Sequence, residues 1–437
     1  MANINQINEK LNAGTLPVFN ELYGNDSQVL EEQKQRYIDL IEKFSSRYGA
    51  DEVELFSSPG RTEVGGNHTD HQLGRVLAGA VNLDNIAVAA LNGTNTVRIL
   101  SEGYPEFEVN LDELEIDEAM FSTSVALVKG IAFRLKELGF QIGGFDVVIE
   151  GRVPVGSGLS SSASFEVLIG AIFSHLFNDG KLDPVENAKI GQWAENNFFG
   201  KPCGLMDQTA CAVGGFITID FKDASNPIVK ALDFDFAKTG YSLVITDTGG
   251  SHANLDSEYA LLPAEMKSVA KELGEDVLRP LSMDQVVENI PNIREKVGDR
   301  ALLRAIHFQA DNNRVVEEVS ALESNDFKKF LSLVIESGYS SYMYNQNIYA
   351  QTPENFNSKM AEQGVALGLA LSELVLKGSG AWRVHGGGFA GTIQAFVPND
   401  KLEQYISTLE NTFGEGKCHK LFIRSKGSDK VELVKHS

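Results

Sequence analysis

Residues 154–166, Pro-Val-Gly-Ser-Gly-Leu-Ser-Ser-Ser-Ala-Ser-Phe-Glu, stand between two apolar runs of different character. The preceding run, GFDVVIEGRV (144–153), is typical of a buried strand, and the following run, FEVLIGAIFSHLF (165–177), is typical of a buried helix. A loop that enters a helix gathers the unpaired N–H groups of the first turn, where the helix dipole also favours negative charge. The stretch therefore predicts an anion site at the start of a helix.

The glycine and serine residues of this loop suit that role. Gly156 and Gly158 lack the Cβ atoms that would hold a phosphate away, while Ser160, Ser161 and Ser162 offer hydroxyl groups to phosphate or Mg²⁺. The loop matches neither the Walker A pattern, which needs Gly-Lys-Ser/Thr, nor the GxGxxG dinucleotide pattern. Taken alone, it is about as typical of a serine-capped helix that follows a flexible turn.

The rest of the chain mixes strand-like and helix-like stretches without a regular βαβ rhythm, which favours an α+β fold. A chain of 437 residues exceeds the size at which single cores stop growing, about 250–300 residues, so two lobes are expected. We place them at residues 1–239 and 240–437. Helices are predicted at 27–48, 121–138, 183–199 and 400–413, an antiparallel sheet at 53–109, and further strands at 241–249 and in WRVHGGGFAGTIQAFVP (382–398).

Composition limits the possible partners and compartment. The formal net charge of −22 opposes nonspecific binding to nucleic acid or to an anionic membrane, because both require cationic patches. Three cysteines, at 203, 211 and 418, cannot all pair within one chain, so free thiols and a reducing compartment are expected. Residues 1–14 lack the features of a secretory signal, and no stretch is apolar enough to span a membrane. A cytoplasmic location is the prediction.

Residues 58–71, Ser-Pro-Gly-Arg-Thr-Glu-Val-Gly-Gly-Asn-His-Thr-Asp-His, concentrate polar side chains in a glycine-punctuated segment, which we call the sugar segment. Such side chains can recognise a polyol, because each hydroxyl group needs both a donor and an acceptor. A metal site is a second reading, in which His68, Asp70 and His71 are completed by another histidine. The candidates for that fourth ligand are His252, His307 and His385. A solvated loop without a role is the third reading.

Two further segments indicate a function only in combination with the motifs described above. Glu195 lies on a predicted helix twelve residues before Asp207, so one carboxylate could serve Mg²⁺ and the other a substrate hydroxyl. Either acid alone is more often a surface residue. Residues 384–391, Val-His-Gly-Gly-Gly-Phe-Ala-Gly, form a second glycine loop, which alone is more typical of a hairpin or bulge than of a ligand clamp.

These segments, together with SHANLDSEY (251–259), stand in the order and spacing found in the galactokinase branch of the GHMP kinases, which the chain resembles from about residue 50 onward. The resemblance implies an N-terminal lobe like a ribosomal S5 domain 2 and a ferredoxin-like C-terminal lobe, with the active site between them. It also implies ATP and Mg²⁺ as cofactors and a small sugar as partner, in a monomer or weak homo-oligomer.

The resemblance further implies a role for each matching residue. Asp207 is similar to the residue beside the anomeric hydroxyl group, with Arg61 as its cationic partner. Ser162 and Glu195 resemble the Mg²⁺ ligands, and Arg383 with the glycines at 386–388 matches the third family motif. The expected phosphate cradle comprises Gly156, Ser157, Gly158, Leu159, Ser160, Ser161 and Ser162, and the expected sugar contacts are Arg61, Asn67, His68, Asp70, Gly204, Asp207 and Tyr259.

The chain also departs from the family pattern. The usual Glu-His-Thr-Asp-Tyr is Asn67-His-Thr-Asp-His71, the usual Val-Asn-Leu-Ile is Thr62-Glu-Val-Gly, and a usual arginine is Ser251. Asparagine both donates and accepts where the glutamate only accepts near C6, so C6 selection could relax or turn toward a uronic acid such as galacturonic acid. N-acetylgalactosamine, which is modified at C2, is a further alternative to galactose. A non-catalytic regulator that binds sugar and ATP, and a metal-dependent hydrolase, are the alternatives from other classes.

Overall fold

The structure, a computed structural model, describes residues 1–14, 16–154, 158–201, 203–250, 255–350 and 363–433. Within these ranges the strands form two β-sheets with helices packed on both, which confirms the predicted α+β class. The larger sheet contains β1 Ala2–Asn3, β2 Glu52–Gly65, β3 Arg75–Leu91, β4 Thr96–Ser101, β5 Phe107–Asn110, β6 Phe145–Gly151, β7 Phe216–Asp220, β8 Ile228–Leu232 and β13 Asp429–Lys430.

The long strand β3 organises this larger sheet. Its second half pairs with β6 from Asn85 to Leu91, while its first half pairs with β7 from Arg75 to Gly79. Strand β2 runs antiparallel beside both halves and shifts register between Pro59 and Arg61. Such irregularities re-aim side chains next to functional sites, and here the shift falls at the start of the sugar segment.

The smaller sheet contains β9 Tyr241–Asp247, β10 Ala381–Val384, β11 Thr392–Pro398 and β12 Cys418–Leu421. Its strand order is β10-β11-β9-β12, and all neighbours are antiparallel. With helices after β9 and after β11, this is the connectivity of a ferredoxin-like unit. The expected topology of the C-terminal lobe is confirmed.

The helices agree with the predicted stretches. On the larger sheet they are α1 Ile4–Asn12, α2 Pro17–Tyr23, α3 Ser27–Tyr48, α4 Ser124–Glu137, α5 Ser161–Phe177, α6 Pro184–Ala194 and α7 Met206–Val213. The second half adds α8 Asp256–Glu272, α9 Met283–Val297, α10 Asp299–Glu323, α11 Phe327–Ser340, α12 Gly364–Leu376 and α13 Leu402–Phe413. No helix among the described residues is both long and apolar enough to cross a bilayer.

Helix α3 shows how local sequence sets these boundaries. Its N-cap Asp26 accepts hydrogen bonds from the backbone N–H groups of Gln28 and Val29, and it ends at Gly49 in the left-handed conformation. Tyr37 and Phe44 lie on its buried face, which packs with α1 and α2 against the larger sheet. The helix predicted at 27–48 is confirmed.

Helix α5 places the start of the predicted anion loop beside strand β2. Residues along nearly its whole circumference are buried, including Val167, Leu168 and Ile172, because the larger sheet, α4 and α6 surround it. Ser58 on β2 donates its hydroxyl to the carbonyl of Ser164 at 2.7 Å, and Ser164 donates to the carbonyl of Ser58 at 2.9 Å. The helix start is therefore fixed to the sugar segment.

The predicted boundary at residue 239 falls between the two sheets, but the chain returns to the first sheet after β12. Ile423 forms a bridge with Val81, and β13 pairs with β2. The fully buried Arg424 reaches Ser57 Oγ at 2.7 Å and Asp84 Oδ2 at 3.2 Å. This corrects the prediction for residues 423–430, which pack on the N-terminal lobe. The rest of the division stays a prediction.

Candidate active site

The start of α5 is shaped for an anion. Gly158 has a φ of +74°, and Ser160 precedes the helix in the left-handed conformation with φ 58°. No side chain of the described residues caps α5, so the N–H groups of its first turn stay available to a ligand. Ser161 is half-buried and Ser162 is exposed on that turn. Gly156 and Ser157 of the predicted cradle lie outside the described residues.

Arg61 joins this loop to Asp207. Its Nε donates to Asp207 Oδ1 at 2.7 Å, its Nη2 lies 2.6 Å from Asp207 Oδ2, and its Nη1 donates to the carbonyl of Gly158. The backbone N–H of Arg61 also donates to the carbonyl of Leu159 at 2.9 Å. A planar guanidinium is suited to this fork, because it presents several donors in fixed directions.

Asp207 lies on the first turn of α7, with Ser160 donating its hydroxyl to Oδ2. The Asp207 side chain keeps 36% of its surface exposed, while Arg61 is 9% exposed. Burial lowers the pKa of Arg61, but the Asp207 carboxylate more than offsets this and raises it, so the cation is retained. The site therefore holds one oriented carboxylate that a ligand can reach.

Asp70 and Gly204 meet beside Asp207. Asp70 begins a short 3-10 turn, Asp70–Gln72, and Gly204 lies in the loop that leads into α7. A Cβ on Gly204 would stand 3.2 Å from Asp70 Oδ2, so the glycine permits this close approach. Two predicted sugar contacts are thus brought together with the predicted catalytic carboxylate.

His68 and Tyr259 contact the second glycine loop. His68 Nε2 donates to the carbonyl of Gly387 at 2.9 Å, and Tyr259 donates its hydroxyl to the carbonyl of Gly388 at the same distance. The Tyr259 ring also packs edge-on against Phe389, with centroids 5.3 Å apart. These two predicted sugar contacts therefore lie at the junction between the sugar segment, α8 and the smaller sheet.

Asn67 does not have the role predicted for it. Its side chain is fully buried, and the amide donates from Nδ2 to Glu63 Oε1 and to the carbonyl of Gly386, both at 2.9 Å. Its Oδ1 accepts from Asn347 Nδ2 at 2.9 Å and from Ser341 Oγ at 3.1 Å. An amide has two donors and two acceptor lone pairs, so no capacity is left for a sugar. This corrects the expected substrate contact.

Glu195 lies behind Asp207 in a buried polar group. Gln208 Nε2 donates at 2.9 Å both to Glu195 Oε2 and to Glu166 Oε2, while Lys201 Nζ stands 3.5 Å from Glu195 Oε1. Burial, and next the charge of Glu195, raises the pKa of Glu166 well above its ordinary value. Buried oxygens of Glu166 and Gln208 have no partner within the described residues.

The histidines proposed to complete a metal site have other partners. His307 Nε2 donates to the carbonyl of Asn67 and His385 contacts the hydroxyls of Thr62 and Thr392, with distances of 2.8–3.0 Å. The other ring nitrogen of His307, Nδ1, contacts Ser340 Oγ at 2.8 Å. No cluster of acidic, histidine and cysteine side chains suited to a metal occurs in the described ranges. His252 lies outside them.

Several contacts within the site were not predicted. Ser160 was assigned to phosphate but also fixes Asp207, and Gln208 bridges two carboxylates. His385 lies against Gly158, where a Cβ would stand 3.1 Å from its ring. Each belongs to a segment singled out in the sequence, but these contacts join residues far apart in the chain.

Comparison with known proteins agrees with this geometry. A family model described as the GHMP kinases N terminal domain matches residues 126–215, and one described as the galactokinase galactose-binding signature matches residues 42–91. A galactokinase of Clostridium acetobutylicum is 30% identical over 385 residues, which cover 86% of this chain and 93% of that protein. One from Clostridium tetani is 29% identical over 379 residues, covering 86% and 92%.

Solved structures give the same result. The crystal structure of Lactococcus lactis galactokinase complexed with galactose matches with a TM-score of 0.73 and 27% identity, over 91% of this chain and all of that chain. The mevalonate kinase of Methanococcus jannaschii, at a TM-score of 0.59 and 16% identity over 85% and 98%, shares the fold. With its two-lobed α+β fold and these matches, the chain belongs to the galactokinase family of the GHMP kinases.

Proposed function

We propose that this chain transfers the γ-phosphoryl group of ATP to the C1 hydroxyl group of galactose, giving galactose 1-phosphate and ADP. The observation that carries the proposal is the Arg61–Asp207 pair at the start of α5. There an accessible carboxylate, suited to a sugar hydroxyl, lies beside a helix terminus suited to phosphate. The galactokinases named above act on galactose according to their names, which supports this substrate over its C6- or C2-modified forms.

In this mechanism Asp207 accepts a hydrogen bond from the C1 hydroxyl group and then its proton. Arg61 and Ser160 hold the carboxylate from three directions, so its orientation is set before the sugar arrives. Where the transition state of phosphoryl transfer is loose, such positioning contributes more than early removal of the proton. Arg61 therefore acts on the reaction through the orientation and charge of Asp207.

The nucleotide phosphates bind to the open first turn of α5. Its N–H groups and the hydroxyls of Ser161 and Ser162 supply the donors, and the positive end of the helix dipole adds charge stabilisation. Gly158 and Leu159 form the described part of the preceding cradle, and Gly156 with Ser157 is proposed to complete it. The net charge of −22 makes these local donors necessary for an anionic ligand.

Ser162 and Glu195 are proposed to hold Mg²⁺. Both offer the hard oxygen atoms that this ion prefers, and the unpartnered oxygens of Glu166 and Gln208 beside Glu195 fit a cation nearby. A bound Mg²⁺ would neutralise charge on the phosphates. Because Mg²⁺ in such sites takes most of its ligands from phosphate and water, two protein ligands suffice.

His68, Asp70, Gly204 and Tyr259 are the proposed sugar contacts besides Arg61 and Asp207. Asp70 and Gly204 line the side next to the catalytic carboxylate, and His68 and Tyr259 line the side next to the glycine loop. A cytoplasmic location and a monomeric or weakly oligomeric state remain predictions.

The test is ADP release measured with galactose, N-acetylgalactosamine, galacturonic acid, glucose, mevalonate and homoserine. We expect galactose to be turned over fastest. Asp207→Ala should abolish turnover while ATP binding, measured by calorimetry, stays nearly unchanged. A wild-type kcat in this variant would refute the role of Asp207, and preference for mevalonate or homoserine would refute the substrate. No release with any sugar would favour a non-catalytic regulator.

A further inference from the structure

A fully buried arginine ties the smaller sheet to the sugar segment. Arg383, on β10, donates from Nη2 to Glu63 Oε1 at 2.7 Å and from Nη1 to the carbonyl of Val64. Removing a guanidinium from water is costly unless a charged partner and further acceptors satisfy it. Glu63, itself 7% exposed, supplies that charge.

The same carboxylate oxygen also accepts from Asn67. Glu63 Oε1 thus receives one bond from Arg383 in the second half of the chain and one from Asn67, four residues further along the sugar segment. Asn67 uses its other N–H for the carbonyl of Gly386. A carboxylate at position 67 could donate to neither group, and it would place a second negative charge beside Glu63.

These contacts fix the residues that follow. His68 comes directly after Asn67, adopts a φ of 58°, and donates to Gly387 next to the carbonyl that Asn67 binds. Asn347 completes the arrangement, because it donates to Asn67 Oδ1 and its carbonyl would lie 2.0 Å from a Cβ on Gly388. The amide at position 67 therefore fixes His68 against the second glycine loop, residues 384–391, and with it the start of the turn that carries Asp70.

We propose that Glu63, Asn67 and Arg383 form a clamp that positions the sugar-binding residue His68 against the second glycine loop, and thereby also Asp70, which follows His68 by two residues and lies beside Gly204. In this clamp the carboxylate belongs at position 63 and the amide at position 67, as a matched pair. The inference rests on the proposed function, since it assigns positioning residues to the same sugar site. All three residues are buried, and in this assignment they act on the sugar through the residues that they position.

Isosteric variants test the matched pair. Asn67→Asp puts two carboxylates side by side, and Glu63→Gln leaves the buried Arg383 without a charged partner. The double variant restores one carboxylate, one amide and a donor between them. We expect Asn67→Asp to raise the KM for galactose about 10- to 100-fold, as small misplacements of positioning residues do, with the KM for ATP nearly unchanged. The double variant should recover the part of that loss that comes from the two adjacent carboxylates, but not the part that comes from the lost bond to the carbonyl of Gly386.

A control pair of the same chemistry lies on the surface, where Asn110 Nδ2 donates to Glu113 Oε1 at 3.1 Å and both residues are exposed. Asn110→Asp and Glu113→Gln, alone and together, should leave both KM values unchanged. A wild-type KM for galactose in Asn67→Asp, or a double variant no better than the worse single one, would overturn the clamp. Equal rises of both KM values with a lowered Tm would show a merely structural role.

Hydrogen exchange followed by mass spectrometry separates the clamp from the proposed function. Asn67→Asp should speed exchange in residues 62–75 more than in the other strands of the larger sheet, whether or not the wild type phosphorylates galactose. Unchanged exchange in that segment would overturn the clamp by itself. Absence of galactose turnover in the wild type would overturn only the proposed function.

Discussion

Replacing Arg61 by lysine keeps a positive charge beside Asp207 but removes the planar fork. Arg61 makes two bonds to the carboxylate, at 2.7 and 2.6 Å, and a third to the carbonyl of Gly158. A single ammonium group on a different stem can keep at most one of these in good geometry. The variant therefore separates charge from orientation at the site.

The expected loss of kcat/KM follows from the hydrogen bonds that Arg61→Lys removes. Each hydrogen bond to a charged group is worth about 1.5–3 kcal/mol, and two are lost, but water can reach the 36% exposed Asp207 and replace part of them. A net cost of about 2–3 kcal/mol corresponds to a fall in kcat/KM of about 30- to 150-fold. Because the carboxylate acts on the reacting hydroxyl, most of the fall should appear in kcat.

The assay is coupled ADP release with galactose varied at saturating ATP, accompanied by a thermal melt. Arg98→Lys is the matched control, because Arg98 also donates two hydrogen bonds to one carboxylate, that of Asp146, at 2.6 and 2.7 Å. Arg98 lies on β4, three strands from β2 in the larger sheet. It should leave kinetics unchanged. A kcat/KM for Arg61→Lys equal to that of Arg98→Lys would refute the reasoning that orientation of Asp207 limits the rate.

Three further outcomes concern the loop and the core. Gly158→Ala should raise the KM for ATP more than that for galactose, because a Cβ would lie 3.1 Å from the His385 ring at a φ of +74°; initial-rate kinetics measures both. Asp84→Asn should cost about 3–5 kcal/mol in urea unfolding, since it leaves the buried Arg36 and Arg424 without their shared carboxylate. Among the described residues the carboxylate oxygens of Glu318 have no hydrogen-bond partner, and burial, and next Asp311, raises its pKa well above the usual value, so its ionisation opposes folding increasingly above pH ~4.5. Glu318→Gln should therefore gain stability relative to wild type by up to about 1.4 kcal/mol per pH unit above that point, until the native pKa is reached, as followed by melts from pH 4 to 8.

The first two of these have a control within the chain. Gly103 has a φ of +80° with nothing within 4 Å of a Cβ, so Gly103→Ala carries the backbone strain without the collision. Asp220 lies between Arg75 and Arg279 and is 23% exposed, so Asp220→Asn should lower the free energy of unfolding by only about 1 kcal/mol. Equal effects in the two glycine variants or in the two aspartate variants would contradict the reasoning. A Glu318→Gln difference that does not vary with pH would contradict the raised pKa.

Much of the fold could be predicted because local patterns and local structure agree. The apolar run before the glycine- and serine-rich loop at 154–164, here the serine loop, became β6, and the run after it became α5. The stretch at 27–48 became α3 with its Asp26 cap. The serine loop and Asp207 were likewise predicted as parts of one site, and Arg61 connects them. Side-chain periodicity and helix-end chemistry act over a few residues, so a single sequence carries them.

The exception at the site was Asn67, and its cause is distance along the chain. Its partners Asn347 and Gly386 follow it by 280 and 319 residues, so its own neighbours in sequence suggested a loop exposed to substrate. Similarly, the division at residue 239 assigned the end of the chain to the C-terminal lobe, whereas β13 pairs with β2. Tertiary contacts of this kind override what the local sequence indicates.

The return of residues 423–430 to the larger sheet also affects the order in which the protein can be completed during synthesis. Domains generally fold from the N-terminal side as the chain emerges. Here, a nascent chain that has emerged to residue 240 holds Asp84 and Arg36 but lacks Arg424, the second guanidinium of that buried group, and the β13 edge of β2. The lobe that is synthesised first thus acquires its last structural parts only after the entire smaller sheet has been translated.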